Sequence, residues 1–140
     1  MERIIHGKFD EDAFPYLELE VLHQDKGLCL QAKAIIDTGA AHCLIREELA
    51  LQLQLEPFRQ ADYRHPVFGK LLLKEYLVDL CLEGNSQKGG AVIKGIRAGT
   101  LLDLHYPASL IIGVEVLRYC SFLYNGPAQI FTLTFDSPLA

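Results

Sequence analysis

The fold class that the amino-acid sequence predicts is all-β, with one or two short helices. Apolar and polar residues alternate with a period of two in several segments, as they do in half-buried strands. Helical spacing of apolar residues occurs only in two short stretches, residues 46–55 and 114–120. The chain has 140 residues and is 50% hydrophobic, which suffices for one domain whose core needs neither disulfides nor a structural metal.

The first strands are predicted to form a hairpin after a short lead-in. Residues 1–14 end in a charged stretch and are expected to be a solvated lead-in, so that a single domain spans residues 15–140. Alternation begins at Tyr16, and a turn is predicted at residues 24–27. A second alternating run, residues 28–36, is expected to pair back on the first strand.

The remaining elements are predicted to be short. Residues 46–55 have the spacing of one or two helical turns, which stop before Pro57. Residues 59–66 are a polar stretch without an assigned strand, and residues 114–120 indicate a second brief helix. Five further strands are predicted, at residues 71–82, 91–96, 109–113, 122–124 and 130–135.

An Asp-Thr-Gly sequence stands at the end of the second predicted strand. The carboxylate of Asp37 is costly to place there unless it is hydrogen-bonded or used in chemistry. Gly39 permits a tight turn that brings backbone N–H groups toward this carboxylate. Taken alone, the tripeptide is also compatible with a turn in which Asp37 only accepts neighbouring N–H groups.

Three parts of the sequence resemble the retropepsins, the single-lobe aspartic proteases, and in particular their bacterial members. Residues 34–40, Ala-Ile-Ile-Asp-Thr-Gly-Ala, are similar to the active-site motif of that family. Residues 110–117, Leu-Ile-Ile-Gly-Val-Glu-Val-Leu, resemble the apolar strand and short helix that lie beside the catalytic loop. Residues 122–126 and 131–135 are similar to the closing strands of the bacterial domains. The resemblance implies an acid-protease fold, a closed barrel, over about residues 15–135.

The implied activity is that of an aspartic endopeptidase. Hydrolysis by paired carboxylates needs two groups that share a proton, and this chain offers a single Asp-Thr-Gly. We therefore expect a homodimer in which two Asp37 side chains activate a water against a peptide or protein substrate. By resemblance, Thr38 links the two active-site loops through hydrogen bonds, and Gly39 contacts the substrate backbone.

The resemblance also implies further site residues. Gly39, Ala40, Ala41, Phe68 and Gly69 are the expected substrate-binding residues, with the last two in a candidate flap at residues 65–70. Retroviral enzymes have an acidic residue at the position of Ala41, so that substrate contact is expected to be absent or supplied elsewhere. Because Ala40 lacks the hydroxyl found in pepsin-like enzymes, we expect a less acidic pH optimum than pepsin's.

The resemblance also implies which residues support the loop that carries Asp37. Ile112 and Gly113 correspond to the strand that lies beside the catalytic loop in the retropepsins, and they are expected to hold that loop in place.

Composition argues against several other classes of function. The formal net charge is -5, without a run of Lys and Arg, so nucleic-acid binding is not expected. The 4 cysteines lack the paired spacing of a zinc site, so a bound metal is not expected. The implied mechanism, with two Asp37 carboxylates and a water, needs no other cofactor. No apolar leader or membrane-length segment occurs, and we expect a cytoplasmic protein with reduced thiols and no membrane partner.

Several alternatives to the protease are compatible with parts of the sequence. A retropepsin-like module that dimerises and binds peptide, with weak or absent catalysis, is the principal alternative. A Cys43–His42 nucleophile is disfavoured because adjacent residues of a strand point to opposite faces. The chain lacks a G-x-G-x-x-G fingerprint and the strand–helix alternation of a small α/β hydrolase.

Overall fold

The structure, a computed structural model, describes residues 2–65, 67–84 and 90–136. Pro66 of the candidate flap and residues 85–89 of the predicted loop lie outside the described residues.

Ten strands and two short helices make up the described part of the chain. A turn of 3₁₀ helix, Gln24–Lys26, joins the second and third strands. The strands are β1 (Arg3–Phe9), β2 (Pro15–His23), β3 (Leu28–Ile36), β4 (Cys43–Arg46), β5 (Arg59–His65), β6 (Gly69–Cys81), β7 (Val92–Leu101), β8 (Leu110–Ile112), β9 (Ser121–Asn125) and β10 (Ile130–Phe135), and the helices are α1 (Glu47–Gln52) and α2 (Val114–Leu117).

Six strands close into a barrel. They are hydrogen-bonded in the order β6-β7-β4-β8-β3-β2, and β2 then pairs with β6 through the register Glu20↔Cys81. Outside the barrel, β5 continues the sheet beyond β6, while β1, β10 and β9 continue it beyond β2. The predicted all-β closed barrel with two short helices is therefore confirmed.

Alternate side chains of the barrel strands fill the core. Along β2, Leu17, Leu19 and Val21 are at most 4% exposed and face the interior. Ile45 of β4 and Leu110 of β8 are completely buried. Each such side chain stabilises the fold by about 1.5–3 kcal/mol relative to an exposed position.

The β2–β3 hairpin has the predicted bounds and carries the Asp-Thr-Gly sequence at its end. Its antiparallel register runs from Tyr16↔Ile35 to His23↔Leu28. Along its other edge, β3 pairs in parallel with β8, from Ala34↔Leu110 to Ile36↔Ile112. The chain thus leaves the barrel at Asp37 between two neighbouring strands.

Two expectations about the elements were wrong. The polar stretch at residues 59–66 is largely a strand, because Arg59–His65 forms β5 and pairs with β6 along its whole length. The lead-in is not solvated throughout, because Arg3–Phe9 forms β1 and Ile5 is fully buried. Alternation in β1 was obscured by Gly7, where an added Cβ would lie 2.0 Å from the ring of Phe131.

Candidate active site

Asp37 begins a loop that is tied to the neighbouring strand. Its N–H donates to the carbonyl of Ile112 over 2.9 Å, which continues the β3–β8 pairing by one residue. The N–H of Gly39 donates to Asp37 Oδ1 over 2.8 Å, and the N–H of Ala40 donates to the Asp37 carbonyl over 3.2 Å. Asp37 is half-buried while Thr38 and Gly39 are exposed, so the carboxylate sits at the surface in a defined orientation.

Gly113 lies directly against the backbone of this loop. A Cβ at this position would lie 2.5 Å from the carbonyl oxygen of His42 and 2.6 Å from that of Ala40. The N–H of Val114 donates to the same Ala40 carbonyl over 2.8 Å. Because real Cβ atoms do not approach backbone oxygens so closely, only glycine lets the start of α2 lie against the Asp37 loop.

Ala41 and His42, the next residues of the loop, are also exposed. His42 Nδ1 lies 3.8 Å from Glu115 Oε1, and Arg97 Nη2 lies 3.5 Å from the same oxygen. The other oxygen of Glu115 is buried and has no hydrogen-bond partner among the described residues.

Cys43 does not form a nucleophilic pair with His42. Its side chain is 1% exposed, and this burial raises the pKa of the Cys43 thiol to about 11. A neutral, buried thiol is a poor nucleophile at neutral pH. The structure therefore agrees with the exclusion of cysteine chemistry at this site.

Tyr106, which the sequence did not indicate, lies within reach of the negative charge of Asp37. Burial, followed by the negative charge of Asp37, raises the pKa of Tyr106 above its ordinary value. The guanidinium of Arg46 holds this segment by donating to the carbonyls of Tyr106 and Ala108 over 2.7 and 2.9 Å. No local motif marks Tyr106, because Tyr106 and Asp37 are distant along the chain.

The candidate flap lies at the tip of the β5–β6 hairpin. The pair His65↔Gly69 closes the hairpin, and Gly69 has a positive φ of 73° that favours glycine. Val67 and Phe68 are 79% and 70% exposed at this tip. The hairpin thus presents an apolar, exposed end beyond the barrel.

Within residues 2–65, 67–84 and 90–136, no group of three or more His, Cys, Asp or Glu side chains is placed to hold a metal ion. In the same part of the chain, no helix is both long enough and apolar enough to cross a membrane. The cysteines at positions 29, 43, 81 and 120 are all free.

Neither a protein-family model nor a curated protein matches this sequence. Solved structures do match the fold. One is the crystal structure of a retropepsin-like aspartic protease from Rickettsia conorii, which superposes with a TM-score of 0.63 at 17% sequence identity. The match covers 96% of this chain and 92% of that chain. The closed six-stranded barrel with its two short helices is therefore a retropepsin-like fold.

Proposed function

We propose that the chain is an aspartic endopeptidase that acts as a homodimer. The observation that carries the proposal is the position of Asp37, half-buried at the end of β3 in a retropepsin-like barrel. Its carboxylate is oriented by the N–H of Gly39. A carboxylate held in this way at the surface is available for proton transfer to and from a bound water.

The chemistry requires a second carboxylate at close range. Two carboxyl groups a few ångströms apart share one proton, because both cannot ionise at that distance. The ionised group then takes a proton from water, while the protonated group polarises the scissile carbonyl. The titration belongs to the pair and not to either Asp37 alone.

A second copy of the chain is the proposed source of that carboxylate. Three other aspartates are engaged elsewhere: Asp10 pairs with Lys33 over 3.0 Å, Asp79 accepts the Gly95 N–H over 2.8 Å, and Asp103 accepts the His105 N–H over 2.9 Å. Thr38 and Gly39 are exposed at the loop tip. In the proposed dimer, Thr38 links the two loops and Gly39 contacts the substrate backbone.

The test is cleavage of an unstructured protein by wild type and by Asp37→Asn, with sedimentation of both proteins. We expect Asp37→Asn to lose at least about a thousandfold in rate while it remains a dimer, since proton transfer is removed. Asp25→Asn, in the exposed turn at the other end of the hairpin, is the matched control and should retain wild-type activity.

Two outcomes would overturn the proposal. Turnover by Asp37→Asn would show that another group carries the chemistry. A confirmed wild-type dimer without turnover on any unstructured substrate would instead favour the non-catalytic, peptide-binding module.

A further inference from the structure

Tyr63 connects the β5–β6 hairpin to the loop that follows Asp37. We propose that Tyr63 is a positioning residue, which holds the hairpin against this loop and restricts substrate side chains beneath the hairpin to small ones. The second part of this proposal rests on the proposed function, whereas the first part rests on contacts within the chain.

The hydroxyl of Tyr63 is anchored to a buried carboxylate. It donates to Glu75 Oε2, while Arg59 Nε donates to Glu75 Oε1. The Glu75 side chain is 3% exposed, and burial of a carboxylate is unfavourable unless such partners are present. Glu75 pairs with Arg59 of β5 and with Gly99 of β7, so the anchor lies where the hairpin leaves the barrel.

The ring of Tyr63 lies directly on β7. A Cβ at Gly99 would be 2.7 Å from Cζ of Tyr63, so any other residue at this position would displace the ring. The absence of a side chain at Gly99 lets the ring settle between the hairpin and the barrel, where Tyr63 is 9% exposed.

The opposite side of the ring meets the loop. The rings of Tyr63 and His42 are 5.0 Å apart between centroids, with an interplanar angle of 68°, an edge-to-face contact. His42 lies five positions after Asp37 in the same loop, and its carbonyl is the oxygen that Gly113 accommodates. Tyr63 therefore contacts or bonds to β5, β6, β7 and the Asp37 loop at once.

This arrangement has a consequence for substrates. His42, which the ring contacts, is exposed and follows Asp37 in the same loop. In the proposed complex, a peptide between Asp37 and the hairpin therefore runs beside His42, and the Tyr63 ring fills the space behind it. A large substrate side chain could enter only by displacing a ring that is hydrogen-bonded to Glu75. Small side chains are accommodated without breaking that bond.

Hydrogen–deuterium exchange tests the positioning role without any need for activity. In Tyr63→Phe, which loses only the hydroxyl, we expect about tenfold faster exchange in Arg59–His65 and at residues 40–42. Tyr63→Leu should show at least the same acceleration. Tyr119→Phe, at a tyrosine that is 69% exposed, is the matched control and should exchange like wild type. Unchanged exchange at residues 40–42 in both Tyr63 variants would overturn the positioning role. Should Tyr63→Leu not fold, the result for Tyr63→Phe is sufficient to decide.

Cleavage of a peptide library tests the restriction on size. The position of interest is the substrate residue at which wild type prefers small side chains. At that position, we expect Tyr63→Leu to raise the ratio of kcat/KM for Leu or Phe to kcat/KM for Ala about tenfold. Tyr63→Phe keeps the ring and should keep the wild-type selectivity. A wild-type enzyme that cleaves, together with a folded Tyr63→Leu of unchanged selectivity, would overturn this inference alone. A wild-type dimer that cleaves nothing would instead overturn the proposed function, while the exchange experiment would still decide the positioning role.

Discussion

At Gly113, one missing methyl group decides whether α2 can lie against the Asp37 loop. We expect Gly113→Ala to destabilise the fold by about 2–3 kcal/mol, because two backbone carbonyls would have to move. Gly126→Ala is the control, since the nearest atom to its Cβ would be an ordinary 3.5 Å away on Tyr124. Urea unfolding of both variants measures the difference. Equal stability of the two variants would contradict the steric role of Gly113.

Glu75 makes the folded state sensitive to acid. Burial alone would raise the pKa of Glu75, but the hydrogen bonds from Tyr63 and Arg59 and the positive charges of Arg59 and Arg97 together outweigh burial and hold this pKa below its ordinary value of 4.5. The unfolded chain therefore binds this proton more readily than the folded chain does. The resulting stabilisation is fully present above about pH 5 and is lost as the pH falls through the folded-state pKa.

The thermal unfolding midpoint measures this effect. Between pH 6 and pH 3, we expect the midpoint to fall more steeply in wild type than in Glu75→Gln, whose side chain does not titrate. Parallel curves for the two proteins would show that Glu75 does not contribute to the acid sensitivity.

At the scale of elements, the tip of the β5–β6 hairpin is where the proposed substrate cleft can be tested separately from stability. Phe68 is 70% exposed, so Phe68→Ala should change the free energy of unfolding by less than about 0.5 kcal/mol. If the hairpin covers the substrate, most of the ring becomes buried in the complex, and kcat/KM should fall about tenfold in Phe68→Ala.

The control for the hairpin tip is Leu51→Ala on α1, where the replaced side chain is 62% exposed. This variant should retain wild-type kcat/KM. An unchanged kcat/KM in Phe68→Ala would remove the tip from the proposed substrate-binding surface.

At the scale of the whole molecule, a chain with a single Asp-Thr-Gly can complete the proposed active site only as a dimer. If each active site needs Asp37 from two chains, a dimer of one Asp37→Asn chain and one wild-type chain should be inactive. With nine parts of Asp37→Asn mixed and equilibrated with one part of wild type, only about a tenth of wild-type chains have a wild-type partner. Activity per wild-type chain should then fall about tenfold. In the control mixture with Asp25→Asn, every dimer keeps two Asp37 side chains, so wild-type chains should lose no activity. If activity per wild-type chain stays constant in the Asp37→Asn mixture, the active unit is a monomer.

Local pattern predicted five of the six barrel strands, but not β4 (Cys43–Arg46), which is a short strand directly after the Asp37 loop. The alternation of apolar residues predicted the β2–β3 hairpin, because one face of each strand is buried and side chains alternate between faces. The same reasoning placed the last strand at residues 130–135, where β10 (Ile130–Phe135) lies. The apolar run before Gly113 was likewise predicted as a strand that leads into a short helix, as β8 and α2 show.

The sequence by itself therefore determined the all-β class, the hairpin that ends at Asp37 and the short helices. Only the tertiary structure decided that β1, β4 and β5 are strands, and that Tyr63 contacts both Glu75 and His42. The physical reason is that a strand with polar or glycine positions is stabilised by its partner strand, and the contacts of Tyr63 join residues that are distant along the chain. Such pairings are properties of the closed barrel and leave no local pattern in the sequence.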